Sequence, residues 1–99
     1  MPRLESDFQA LFQNDIFAEF PDALILKLDN KYTQGVPDRL VLVGRRWATL
    51  EFKRDRLARI QPNQPFYVDL MNRMSYSSFV YPENAEEKFR ELKRALRAH

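Results

Sequence analysis

The chain of 99 residues contains no cysteine, which excludes disulfide bonds, thiolate metal ligands and thiol catalysis. Its single histidine, His99, is the last residue, so neither a histidine triad nor a histidine-cluster metal site is available. No apolar run approaches the length of a membrane span, and no signal peptide opens the chain. We therefore expect a soluble, cytoplasmic protein without a membrane partner, in which any metal ion is held by oxygen ligands, as Mg²⁺ and Mn²⁺ prefer.

The composition that remains is that of a folded domain. Hydrophobic residues make up 44% of the chain and aromatic residues 13%, so a real core can be buried and global disorder is not expected. The length suits one core rather than two, which predicts a single domain over residues 1–99.

Positive charge is concentrated in one part of the chain. Between residues 39 and 59 there are seven basic side chains and two acidic ones, although the net charge of the whole chain is only +2. A solvated surface loop explains such an excess as readily as a polyanion partner does.

Hydrophobic periodicity predicts the element order αβββαβα, with a mixed sheet flanked by helices. Asn84, with Glu87 three residues later, has the spacing of a capping box for the last helix. The predicted elements are a helix over 4–16, strands over 23–28, 38–43 and 46–53, a helix from Pro65, a strand over 78–81 and a helix from Asn84.

Gly44-Arg45 between two strand-like runs is typical of a two-residue type II′ hairpin. Opposed residues in such a hairpin have numbers with a constant sum, so Asp38 is predicted to face Glu51. Strand alternation then puts Lys53 on the same face as Glu51.

Two opposed carboxylates repel each other, and a divalent cation between them would remove that penalty. The backbone carbonyl of Phe52 is a candidate third ligand, and Lys53 could stabilise charge on a phosphate. Taken as isolated residues, Glu51 and Lys53 would instead be read as an ordinary surface ion pair.

The residues that flank this hairpin form a more specific sequence motif. Gly35-Val-Pro-Asp38 precedes its first strand, Leu50-Glu-Phe-Lys53 ends its second, and Gln64 lies at the start of the next predicted helix. This arrangement resembles the PD-(D/E)xK nuclease superfamily and, more narrowly, the VRR-NUC family of small phage, bacterial and repair-enzyme nuclease domains. The resemblance covers nearly the whole chain in element order and implies a restriction-endonuclease-like core.

The same resemblance implies roles for four residues. Asp38 matches the first metal ligand of the family, Glu51 the second and Lys53 the catalytic lysine. Gln64 matches a glutamine that is often found at the start of this helix, where it would hydrogen-bond near the metal site or the scissile phosphate.

Family members commonly carry a further metal-binding acid early in the first helix, which favours Glu5 here. Helical geometry alone leaves Glu5, Asp15 and Glu19 open, because all three lie towards the apolar face of the helix. A helix-start carboxylate favoured by the macrodipole is the ordinary alternative for Glu5.

One departure from the family concerns residues 54–60, here called the basic loop. Many relatives have a glycine-rich stretch at this place, whereas this chain has Arg-Asp-Arg-Leu-Ala-Arg-Ile, which favours contact with phosphates. The candidate DNA-contacting residues are Arg39, Arg54, Arg56, Arg59, Tyr32 and Lys27.

The function that the resemblance implies is hydrolysis of DNA phosphodiester bonds by an endonuclease with Mg²⁺ or Mn²⁺. Stand-alone members of this size often act as homodimers on branched DNA such as Holliday junctions, and a phage-encoded member would act in the host cytoplasm. Three alternatives stay open: a nicking, flap or low-specificity nuclease, a catalytically silent DNA-binding module on the same fold, and an α/β interaction domain with chance motifs.

Overall fold

The computed structural model describes residues 5–97, apart from the side chain of Glu5. The predicted order αβββαβα is confirmed, with a short 3-10 turn (Pro82–Asn84) before the last helix. None of the helices in this described part has the length and apolar character needed to span a bilayer. The elements are α1 (Glu5–Glu19), β1 (Leu24–Lys27), β2 (Arg39–Val43), β3 (Arg46–Phe52), α2 (Gln64–Met74), β4 (Tyr76–Val80) and α3 (Ala85–Leu96).

The four strands form one mixed sheet in the order β1-β2-β3-β4. The pairs β1–β2 and β2–β3 are antiparallel, whereas β3 and β4 run parallel. A parallel neighbour requires a crossover connection, and α2 provides it between β3 and β4. The predicted mixed sheet flanked by helices is therefore confirmed.

The hairpin between β2 and β3 has the predicted register. Val43 pairs with Arg46, Leu42 with Trp47 and Leu40 with Thr49. Gly44 has φ +59°, and no residue other than glycine has a positive φ in the described part of the chain, which fits a type II′ turn rather than a type I′ turn.

The two faces of the sheet have different partners. One face presents Val41, Leu50 and Phe52 to the apolar side chains of α1 and α3, and these form a single buried cluster. Phe12 of α1 contacts Phe52 edge to face, with 5.5 Å between ring centroids. Strand alternation therefore sends the neighbours of Phe52 to the opposite face, which α2 partly covers.

Two local predictions differ from the structure near the end of the chain. Strand β4 begins at Tyr76, two residues before the predicted start. The capping box at Asn84 is wrong, because this side chain makes no cap bond to α3. Its amide oxygen instead accepts from the backbone N–H of Tyr81 (2.9 Å), and its NH₂ group donates to the carbonyl of Phe79 (3.1 Å).

Gly35 brings two loops into close contact. It has φ +95°, and a Cβ atom at this position would lie 2.5 Å from the Cβ atom of Asn63 and 2.7 Å from its carbonyl carbon. Only glycine fits such an approach, because real Cβ atoms do not come this near to other carbon atoms. The loop before β2 is thereby held against the residues that begin α2.

We expect Gly35→Ala to destabilise the protein more than Gly44→Ala does. Both changes place alanine at a positive φ, which costs about 1 kcal/mol. Only the first also forces a Cβ atom into Asn63, since nothing lies within 4 Å of the Cβ position at Gly44. Urea unfolding should give a loss on the order of 2–4 kcal/mol for Gly35→Ala. Equal losses in the two variants would contradict the close loop contact.

Candidate active site

Strands β2 and β3 bring two carboxylates to the same end of the sheet. Asp38 immediately precedes β2, and its backbone carbonyl accepts a hydrogen bond from the N–H of Leu28 (2.9 Å), so pairing continues past the end of β1. Arg39 pairs with Leu50, and one further step in the same register places Asp38 opposite Glu51. Glu51 lies on the face opposite to the apolar core.

Glu51 is a buried carboxylate with a strongly perturbed acidity. Glu51 as a whole is only 7% exposed. Burial, followed by the negative charge of Asp38, raises the pKa of Glu51 to about 7, although Lys53 acts in the opposite direction. A second carboxylate beside a buried one is unfavourable unless positive charge is supplied, and this is the electrostatic situation that a cation site presents.

Lys53 is held beside Glu51 by three contacts. Its Nζ atom lies 3.6 Å from Oε2 of Glu51 in an ion pair. It also donates hydrogen bonds to Oε1 of Gln64 (2.8 Å) and to the backbone carbonyl of Arg59 (3.1 Å). The ammonium group therefore has a fixed position at the edge of the carboxylate pair.

Gln64, the first residue of α2, bridges Glu51 and Lys53. Its NH₂ group donates to Oε2 of Glu51 (3.1 Å). Its amide oxygen accepts from Lys53 and from the backbone N–H of Gln61 (2.9 Å), which fixes the orientation of the amide. The structure thus brings together all four residues that the resemblance singles out, while their catalytic roles stay predictions.

The acidic residues suit a cation that also binds substrate and water. Within residues 6–97, no group of three or more His, Cys, Asp or Glu side chains has the arrangement of a metal cage. Mg²⁺ is usually held by one or two carboxylates together with phosphate oxygens and water, so Asp38 and Glu51 fit this ion. The carbonyl of Phe52, next to Glu51 in the chain, stays a predicted third ligand.

The first-helix acids are not equivalent in the structure. Glu19 accepts a hydrogen bond from the guanidinium group of Arg97, which lowers the pKa of Glu19, and Asp15 is exposed. The side chain of Glu5 lies outside the described residues. Gln9, four residues later, accepts a hydrogen bond from Arg39 (3.1 Å), so this part of α1 lies beside the residue that follows Asp38.

The basic residues divide into two groups. The side chain of Arg39 reaches α1 and donates a hydrogen bond to Gln9. It also forms an ion pair of 3.6 Å with Asp38, and it is only 17% exposed. The three arginines of the basic loop are exposed, namely Arg54, Arg56 and Arg59. This second group presents exposed positive charge on the loop that is joined to Lys53 through the carbonyl of Arg59, although Arg54 also forms an ion pair of 3.4 Å with Asp55.

Lys27 and Tyr32 belong to β1 and to the loop that follows it, respectively. Tyr32 is fully exposed in the loop between β1 and β2. Lys27 ends β1 and lines a cavity of about 570 Å³ together with Asp38 and Asp29. A second cavity, of about 370 Å³, is lined by Gly35 and Gln64. Of the predicted DNA-contacting residues, Lys27 and Arg39 thus lie beside Asp38, and Arg59 contacts Lys53 through its backbone carbonyl.

Two contacts of the site were not found from the sequence. The backbone carbonyl of Arg59 anchors Lys53, and a carbonyl leaves no mark in a residue pattern. Gln9 anchors Arg39 across 30 positions in the chain. Its only signal is a polar side chain between two core phenylalanines of α1, which any surface glutamine would also give.

Comparison with known proteins supports the fold independently. No family model matches the sequence, and no curated protein matches it. A solved structure described as a VRR_NUC domain is similar over 89% of this chain and 97% of its own, with a TM-score of 0.66 and 19% sequence identity. The chain has the fold of a VRR_NUC domain. The resemblance inferred from the hairpin motif is thus confirmed at the level of the fold.

The raised pKa of Glu51 predicts a pH-dependent stability of the metal-free protein. The folded-state pKa of about 7 exceeds the ordinary value of 4.5, so the folded state prefers the protonated carboxyl group. This contribution is fully present below the ordinary value and is lost as the pH rises through the folded value. We expect the free energy of unfolding in urea with chelator to fall on the order of 2–3 kcal/mol between about pH 5 and about pH 8.

Glu51→Gln should flatten this profile, because glutamine does not titrate. Glu86→Gln is the matched control, since the side chain of Glu86 is 92% exposed on α3. It should leave the profile of the wild type unchanged. Parallel profiles for wild type and Glu51→Gln would show that the burial of this carboxylate is not the cause.

Proposed function

We propose that this chain is a metal-dependent DNA endonuclease that hydrolyses phosphodiester bonds, with its active site at Asp38, Glu51, Lys53 and Gln64. The observation that carries the proposal is the hydrogen-bonded series Glu51–Gln64–Lys53 beside Asp38. A purely structural ion pair needs neither a second carboxylate nor a bridging amide. The similarity of the fold to that of a VRR_NUC domain supports nuclease chemistry.

Asp38 and Glu51 would hold Mg²⁺ or Mn²⁺, with the carbonyl of Phe52 as a further oxygen ligand. The bound ion supplies Lewis-acid polarisation of the phosphate. Lys53 stabilises the negative charge that develops on the phosphate oxygens, because its ammonium group is fixed at the edge of the carboxylate pair. Gln64 fixes the side chains of Glu51 and Lys53 relative to each other, because it hydrogen-bonds to both.

Glu5 is the first-helix acid that we assign to the metal site. Residues four apart in a helix lie on the same face, so position 5 follows the face of Gln9, which reaches Arg39 beside Asp38. The bond between Glu19 and Arg97 argues against Glu19, and the exposure of Asp15 argues against that residue.

DNA would lie across the end of the sheet between the two loops that flank the site. Arg54, Arg56 and Arg59 would contact phosphates on one side, with Lys27 and Tyr32 on the other. Arg39 would contribute positive charge from a mostly buried position, because its guanidinium group lies next to Asp38.

The substrate that we propose is branched DNA such as a Holliday junction, cleaved by a homodimer of single-domain chains. This finer proposal rests on the resemblance of the motif to the VRR-NUC family. A two-fold dimer presents two equivalent sites to the symmetric strands of a junction. A cytoplasmic location, in the host if the protein is phage-encoded, belongs to the same proposal.

Metal binding is tested by calorimetric titration with Mn²⁺. Wild type should bind with release of heat or protons, and Asp38→Asn should weaken binding by at least about tenfold, because a charged oxygen ligand is lost. Asp22→Asn is the matched control, since it makes the same change at an exposed acid in the turn after α1. No response in the wild type would remove the basis for a metal-dependent reaction.

Cleavage is tested with a four-way junction, a flap, a nicked duplex and a linear duplex in Mn²⁺. Lys53→Met should reduce kcat by about 100- to 1,000-fold, because it removes charge stabilisation of the transition state. Lys93→Met on α3 is the matched control and should retain activity. Equal activity of Lys53→Met and wild type would refute the assigned site. Equal cleavage of all four substrates would refute the junction preference alone.

A further inference from the structure

The basic loop presents an apolar side chain at its tip. Leu57 is 83% exposed, and Ile60 nearby is 46% exposed. The side chain of Arg54 is 66% exposed, and Arg56 and Arg59 are also exposed. Single exposed leucines are common on protein surfaces and need no explanation by themselves. What distinguishes Leu57 is its position within a cationic loop beside the candidate active site.

The tip of the basic loop is a defined turn rather than a free segment. The N–H of Ala58 donates to the carbonyl of Asp55 (3.2 Å), so Arg56 and Leu57 are the two central residues of a β-turn. The N–H of Leu57 donates to Oδ1 of Asp55 (2.8 Å), and the N–H of Arg56 donates to Oε2 of Glu83 (3.4 Å). These bonds fix the backbone of the turn on which the exposed side chain of Leu57 is carried.

The tip is also joined to the candidate active site. The carbonyl of Arg59, two residues after Leu57, accepts a hydrogen bond from Nζ of Lys53 (3.1 Å). A DNA strand with a phosphate at Lys53 would thus pass beside the loop that carries Leu57. An apolar side chain flanked by arginines is the combination that proteins use to enter a base step while holding the phosphates on either side.

We propose that Leu57 is a wedge that occupies an opened base step next to the scissile phosphate, so that this enzyme prefers DNA that is already interrupted by a gap, nick or branch. The proposal rests on the nuclease function proposed above. In continuous duplex the wedge must unstack two bases that are held by intact strands, whereas at an interruption the free energy of unstacking is smaller and Leu57 gains apolar contact. Leu57 is therefore a specificity-determining residue.

The test compares cleavage of a continuous duplex and of the same duplex with a one-nucleotide gap, in Mn²⁺. Leu57→Ala should lower kcat/KM on the gapped duplex by about tenfold and on the continuous duplex by less than about twofold. Leu57→Met should restore the preference, because it keeps an apolar side chain of similar reach. Leu11→Ala is the matched control, an exposed leucine (46%) on α1. An unchanged preference in Leu57→Ala, or no preference in an active wild type, would overturn the wedge.

A second readout separates the wedge from the cleavage reaction. With 2-aminopurine beside the gap, wild type and Glu51→Gln should raise its fluorescence by unstacking, and the double variant Glu51→Gln/Leu57→Ala should not. This response is expected even where the wild type fails to cleave, in which case the nuclease proposal alone is refuted. Absence of the response in the wild type overturns the wedge.

A basic loop with an exposed leucine would also suit an anionic membrane surface. The bond between the loop and Lys53 favours DNA. Vesicles of phosphatidylcholine and phosphatidylglycerol provide the comparison. Binding to them that depends on Leu57, without a 2-aminopurine response, would refute the DNA wedge.

Discussion

The burial of Glu51 beside Asp38 is the constraint around which the candidate site is built. A carboxylate that is 7% exposed and has a second carboxylate for a neighbour raises the free energy of the folded state unless positive charge or hydrogen-bond donors face it. Lys53 and the amide of Gln64 provide both. Because Lys53 also bonds to the carbonyl of Arg59, compensation of one charge fixes the end of β3, the basic loop and the start of α2 together.

A second constraint acts between the loop that precedes Asp38 and the start of α2. Gly35 lies so close to Asn63 that no other residue fits, and Asn63 immediately precedes Gln64. The loop that leads to Asp38 is therefore packed against the residue that leads to the bridging amide. The end of β3, the loop that leads to Asp38 and the start of α2 are thus held together in two ways. Lys53 and Gln64 bond to Glu51, and Gly35 allows the close approach to Asn63.

Local rules explain which parts of this arrangement were predictable from the sequence. A two-residue turn fixes its register by counting, so the opposition of Leu42 to Trp47 followed from the position of Gly44 alone. The partners of Asn84 and Arg39 were not predictable in this way. Asn84 has the residue type and spacing of a cap, yet its amide bonds to Phe79 of β4 and to Tyr81, which follows that strand. Sequence spacing does not encode such a competition.

Strand β3 connects the stability of the fold to the chemistry of the site. Phe52 packs against Phe8 and Phe12 on the core face, while its neighbours Glu51 and Lys53 point to the other face. The aromatic contacts hold the backbone between the two charged residues, so neither can shift without disturbing the core. A site formed by alternate residues of a buried strand gains the rigidity of the core, which a site on exposed loops would lack.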